Sequence, residues 1–172
     1  EARRQVLLAL DPAIGLIDYD NPVAATAARD RLSRLLPTQS YRSERQVDLQ
    51  QFSTPLHLAW LAAHAARITD ADTVLEPSAG TGMLAVHARQ LGAQLILNER
   101  DPLRADLLAL TLDQQVSRHD AEFIHDMLDP ADRPNVVLIN PPFSRSEGRG
   151  RDRHAGARHL RSALLRLADG GR

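Results

Sequence analysis

Thr73-Val74-Leu75-Glu76-Pro77-Ser78-Ala79-Gly80-Thr81-Gly82-Met83 is the stretch whose reading decides the fold. Thr73-Val74-Leu75 has the length and apolar character of a short buried strand. The glycines at 80 and 82 then make a turn that opens directly into a helix expected over 83–91 and closed by Gly92. Working outward, Gln94 to Leu97 reads as a second strand, and Asp101 with Pro102 caps a helix running to about Leu112. Glu122 to His125 is expected to be a third strand and Val136 to Ile139, the most apolar, a fourth, followed by a helix from about Ala155 to Ala168. Upstream, Thr54 and Pro55 are expected to cap a helix reaching about Arg67. Strands alternating with helices at this spacing imply an α/β fold with a doubly wound parallel sheet. In such sheets ligands sit at the carboxyl ends of the strands, so chemistry is sought just after each one.

The region before this pattern reads differently. Apolar residues recur at helical spacing in Val6 to Leu10 and again at Ala24, Ala28, Leu32, Leu35 and Leu36, with Asn21-Pro22 as the start of the second helix and Pro37 as its end. Thr38 to Gln51 is polar and reads as a linker. The expected organisation is therefore a helical extension and linker over 1–50 and one α/β domain over 51–172. Glu1 and the closing Ala168-Asp169-Gly170-Gly171-Arg172 both suggest a piece of a longer protein, with the domain incomplete at its C-terminal side.

Composition narrows the classes of function. The formal net charge of the 172 residues is −1, and all 21 basic residues are arginine, so overall charge carries no nucleic-acid signature and any basic surface must be local. Cysteine is absent, which excludes disulfides, thiolate metal ligands and a cysteine nucleophile. The histidines show no ligand spacing, so no metal is expected. With no apolar run long enough to span a bilayer and no leader-like start, the expected location is cytoplasmic.

Four strand ends carry the candidate residues. After the first, Glu76, Pro77, Ser78, Ala79, Gly80 and Gly82 let a ligand approach the backbone closely, and the Glu76 carboxylate suits an ammonium group such as the methionine end of S-adenosylmethionine. Gly80-Thr81-Gly82-Met83-Leu84-Ala85 also satisfies the dinucleotide pattern, but Glu-Pro-Ser-Ala stands between the strand and the glycines, where pyrophosphate binding needs the first glycine at the strand end. After the second strand, Glu99 offers two acceptor oxygens for ribose hydroxyls, with Arg100 beside it. Past the expected third strand, Asp126, with Met127, is placed to accept from an adenine amino group.

The strongest signal follows the fourth strand: Asn140-Pro141-Pro142-Phe143. Two prolines fix the backbone and remove two amide donors. The Asn140 side-chain oxygen and the Pro141 carbonyl then accept both hydrogens of a substrate amino group, drawing its lone pair back toward nitrogen for in-line attack. Phe143 offers a face on which an extruded base can stack. The next segment, Ser144 to Arg161, carries six arginines against two acids and reads as a loop running into a helix. Arg145, Arg149, Arg151 and Arg153 are its candidate phosphate contacts.

Together these residues resemble the amino-group DNA methyltransferases whose cofactor motif precedes an N-P-P-F/Y catalytic motif. Gln51-Phe52-Ser53-Thr54-Pro55 is similar to that family's F-x-T-P motif, which adds Phe52, Thr54 and Pro55 to the cofactor set. The resemblance covers about 51–172. It implies a Rossmann-like class I methyltransferase fold, S-adenosylmethionine as cofactor, Asn140, Pro141, Pro142 and Phe143 at the acceptor, and adenine N6 in DNA as target. RNA base amines and protein glutamine are the alternatives among resembling enzymes, and a non-catalytic nucleic-acid module the alternative from another class. Q-F-S-T-P combined with E-P-S-A-G-T-G further resembles the methylase region of bacterial strawberry-notch-type methylase/helicase proteins, which implies a helicase-like ATPase in the same longer chain.

Overall fold

The computed structural model describes residues 21–35, 53–141 and 154–172. The expected helix at 6–10, the linker at 38–51, and Phe52, Pro142, Phe143, Arg145, Arg149, Arg151 and Arg153 lie outside the described residues.

Among the described residues, four parallel strands form the sheet: β1 (Thr73–Glu76), β2 (Gln94–Asn98), β3 (Val116–Ser117) and β4 (Val136–Val137), in the order β3-β2-β1-β4. Chain order reverses between β1 and β4, and a cleft opens there at the carboxyl ends of the strands. The helices are α1 (Pro22–Leu35), α2 (Leu56–Ala65), α3 (Ala85–Gln90), α4 (Pro102–Leu112), α5 (Ile124–Met127) and α6 (Ala155–Leu164). Among the described residues, no helix is long and apolar enough to cross a membrane.

Successive residues of β1 show why both faces are covered. Val74 packs with Ala59 and Ala63 of α2 and Ala88 of α3, while its neighbour Leu75 packs with Ile124, Leu128 and Ala163 on the opposite side. Side chains of a strand alternate between faces, so two layers of helix are needed to bury both. A third cluster joins Leu97 of β2 to Leu108 and Leu112 of α4. At the opposite end of the strands, the buried Asp72 carboxylate accepts from Thr69, Asn135 and Arg172, tying together the starts of β1 and β4.

Helix boundaries follow their caps. The Asn21 side chain accepts from the Ala24 amide at 3.1 Å and starts α1 as expected. Asp101 does the same for the Arg104 amide at the head of α4, with Pro102 in the first turn. Gly92, at φ +84°, closes the turn after α3. Thr54 does not cap α2: Pro55 occupies the N-cap position without a side-chain bond, and the Thr54 hydroxyl is engaged elsewhere.

The expected third strand is corrected. Residues 121–127 form a short 3-10 turn followed by α5, and the strand paired with β2 lies upstream, at Val116–Ser117. The cause is local: Asp120 caps the turn by accepting from the Glu122 amide at 3.1 Å, and the buried residues Ile124 and Leu128 stand four apart, at helical spacing. Phe123, in the middle of the expected strand, is exposed. The fourth strand and the last helix are also shorter than expected, ending at Val137 and Leu164.

Candidate active site

Glu76, the last residue of β1, is 2% exposed. The Ala85 amide donates to its carboxylate, while Oε2 is buried without a hydrogen-bond partner among the described residues. Burial holds its pKa well above the usual carboxylate range; the nearby Glu99 pushes the same way, and the Ala85 amide and the Arg104 guanidinium oppose them. Thr81, on the same turn, also has a buried hydroxyl with no partner among the described residues. Buried polar groups are nearly always satisfied, so these two residues mark a polar side of the space they line.

The turn after Glu76 is held open by its neighbours. Gly80 and Gly82 have φ of +61° and +85°, a region that side chains other than glycine rarely adopt. A Cβ on Gly80 would stand 2.4 Å from the Arg104 Nη2, and one on Gly82 2.5 Å from the Leu108 Cδ1. The Gly80 amide donates to Glu99 Oε2 at 2.7 Å, and the Asp101 amide donates to Glu99 Oε1 at 2.8 Å. Glu99 is therefore buried and locks the glycine turn to the start of α4 as well as being the acidic residue that follows β2.

Asn98 fixes the three strand ends relative to one another. Its Nδ2 donates to the carbonyls of Pro77 and His119, and its Oδ1 accepts from the Ser117 hydroxyl and the His119 amide. This uses the whole bonding capacity of a side chain that is fully buried. The sequence alone assigns it no role.

The catalytic-motif residue Asn140 arrives from the end of β4. Its Nδ2 donates to the Thr54 hydroxyl at 3.0 Å, which turns Oδ1 the other way. Thr54, Glu76, Ser78, Gly80, Arg104 and Asn140 line a single small hollow, together with Ala79 and Thr81, whose water-accessible space is about 20 Å³. Ser53, Thr81, Met83, Leu84 and Arg104 also line it without having been candidates, and the place of Arg104 four positions into the segment beginning at Asp101 gave no hint that it reaches back over Gly80.

Other candidates fall outside this hollow. Pro77 is buried beneath the turn, and Pro55 is exposed at the head of α2. Gly82 packs on Leu108 rather than lining the space. Arg100 is largely exposed and pairs with Asp120 at 2.8 Å. Asp126 and Met127 are corrected: both are exposed on α5, Asp126 lies 3.3 Å from the His125 ring, and neither follows a strand. The carboxylate that does stand beyond β3 is Asp120, which the misplaced third strand concealed.

No protein-family profile and no curated protein sequence matches the chain. Solved structures do. The chain is similar to a Pyrococcus horikoshii protein provisionally described as an RNA methyltransferase, with 26% identity, a TM-score of 0.60, and coverage of 82% of this chain and 69% of that one. It is also similar to TrmN of Thermus thermophilus, at 22% identity and TM-score 0.56 over 71% of this chain and 38% of that one. A modification subunit assigned to a type I restriction enzyme of Vibrio vulnificus gives 19% identity and TM-score 0.54 over 82% and 36%. The chain thus spans little more than a third of the length of the latter two. Strand order, the position of the glycine turn and these neighbours together identify the fold as the Rossmann-like fold of class I methyltransferases.

Proposed function

We propose that the chain carries the cofactor and catalytic site of an S-adenosylmethionine-dependent methyltransferase acting on an exocyclic amino group, with adenine N6 in DNA as the target. One observation carries the reading: Asn140 and Thr54 meet the glycine turn and Glu76 around one hollow at the reversal point of the sheet. The residues fit the cofactor. The orphaned Oε2 of Glu76 matches its ammonium group, and the Arg104 guanidinium beside Gly80 adds a cation to the same hollow.

When bound, S-adenosylmethionine supplies a methyl group on a sulfonium. The protein's part is to hold the acceptor. Asn140 Oδ1 and the Pro141 carbonyl would accept the two hydrogens of the amino group, which returns lone-pair density to nitrogen; the carbon–nitrogen bond would form as the carbon–sulfur bond breaks, and the methylated amine would shed one proton to solvent. Thr54 holds the Asn140 amide in the orientation that presents Oδ1. With no cysteine in the chain, a covalent adduct on a pyrimidine ring by the usual thiolate route is excluded.

DNA is favoured by the pairing of F-x-T-P with N-P-P-F in the sequence, and the modification-subunit neighbour is in keeping with it. An RNA base amine is the second reading, supported by the description of the P. horikoshii neighbour. Nucleic acid is the proposed partner in either case, with Arg145, Arg149, Arg151 and Arg153 as phosphate contacts. A helicase-like ATPase elsewhere in a longer protein rests on motif resemblance alone. Radiolabelled S-adenosylmethionine offered with DNA, RNA and protein acceptors in parallel, followed by identification of the modified nucleoside, tests the assignment. Asn140→Ala is expected to lower transfer by ~100- to 1,000-fold while cofactor binding changes less than about threefold; normal activity in that variant would overturn the mechanism.

A further inference from the structure

Arg104 is a charged side chain of the hollow that neither the sequence motifs nor the resemblance assigns. It sits at the third position of α4, and its guanidinium lies over the side of Gly80 where a Cβ would be, with Nη2 2.4 Å from that position and Cζ 3.3 Å. Among the described residues this guanidinium makes no hydrogen bond. Across the same hollow stands Glu76, 2% exposed, with Oε2 unpartnered. A positive fork and a buried carboxylate that face one small space without bonding each other form a matched pair of sites for a zwitterion.

We propose that Arg104 is the specificity residue for the α-carboxylate of the cofactor's amino-acid end, with Glu76 taking the α-ammonium. This rests on the methyltransferase reading above and extends it to a residue outside the motifs. The charge arrangement explains the selectivity. Pyrophosphate would meet Arg104 but be repelled by Glu76, and a simple amine would satisfy Glu76 but leave the guanidinium unpaired; only a group bearing both charges satisfies both walls. A side chain at Gly80 would push the guanidinium aside, which makes the position of Arg104 sensitive to this residue.

The test compares S-adenosylhomocysteine with its decarboxylated counterpart, which keeps the amine, by calorimetry on the chain and its Arg104→Gln variant. The native protein is expected to favour the carboxylate-bearing ligand by ~10- to 100-fold. In Arg104→Gln that preference is expected to fall below about threefold, with affinity for the decarboxylated ligand nearly unchanged. If Arg104→Gln does not fold, Arg104→Lys serves, with an expected intermediate preference because a point charge replaces the fork. Equal affinity of the native protein for the two ligands, or an equal loss of both in the variant, would overturn the assignment of Arg104 while leaving the cofactor reading intact. Failure of the native protein to bind any adenosyl ligand would overturn both.

Discussion

The side-chain amide of Asn140 donates to the hydroxyl of Thr54 across 3.0 Å, joining segments 86 positions apart in the chain. In the proposed mechanism the bond decides which end of the amide faces the acceptor. An unanchored asparagine would present nitrogen and oxygen alternately, and only oxygen draws hydrogens from an amine. Thr54→Val keeps the shape and removes the hydroxyl. It is expected to lower kcat by ~10-fold with a smaller change in KM for the cofactor, and Thr54→Ser to restore most of the loss. Steady-state kinetics with the identified acceptor reads the difference; an unchanged kcat in the valine variant would remove Thr54 from the positioning role.

Glu76 titrates in the direction opposite to an ordinary surface carboxylate. Its pKa in the fold is raised by burial, so the folded protein holds a proton that the unfolded chain releases. Stability of the ligand-free protein therefore falls as pH rises from the ordinary carboxylate range toward the raised value, and no such cost exists below that range. Glu76→Gln is expected to melt higher than the native protein near neutral pH and to converge with it in acid, while losing cofactor affinity by ~10-fold or more. Thermal melts across pH, with and without S-adenosylhomocysteine, separate the two effects.

His87 works the other way. It is fully buried on α3, 3.3 Å from the Leu56 carbonyl, and its pKa is lowered from about 6.5 to about 3 by burial and, secondarily, by the Arg29 guanidinium. Between these values the unfolded chain takes up a proton that the folded protein refuses. Stability is complete above the upper value and is expected to fall by ~1.4 kcal/mol for each pH unit below it. In His87→Phe the acid limb of the stability profile should flatten; an unchanged slope in denaturant titrations at pH 4 to 6 would contradict the burial account.

Asp120 and Asp126 give a direct contrast. If a carboxylate past the third strand takes part in adenine binding, it is Asp120, already paired with Arg100 at 2.8 Å. Asp120→Ala is expected to weaken S-adenosylhomocysteine binding by about 5- to 10-fold, and Asp126→Ala to leave it within twofold. Calorimetry on the two variants distinguishes them, and the reverse ranking would restore Asp126.

That pair also marks how far the sequence could be read. β1, β2, the glycine turn and α4 were legible because each carries its own punctuation: glycines at 80, 82 and 92, and an Asp-Pro cap at 101 and 102. β3 was not, because Val116–Ser117 is only two residues long and owes its existence to pairing with Leu97 and Asn98 rather than to any local pattern. The apolar content of 122–125 made a better strand on paper, yet the Asp120 cap and the spacing of Ile124 and Leu128 make it helical. Asn140, Thr54 and Glu76 were found through their motifs. Asn98 and Arg104 were not, since their roles depend on which backbone segments tertiary folding brings beside them.

Arg29 of α1 is fully buried, with its guanidinium 4.6 Å from the centre of the Trp60 ring and its charge felt by His87. Trimming the protein to begin at residue 51 would take away that cation together with the helix that shields Trp60, baring an aromatic surface directly behind the segment leading out of the glycine turn. Material prepared for binding or activity measurements should accordingly retain α1, and low solubility of a shorter version would reflect this lost cover rather than any defect in the chemistry.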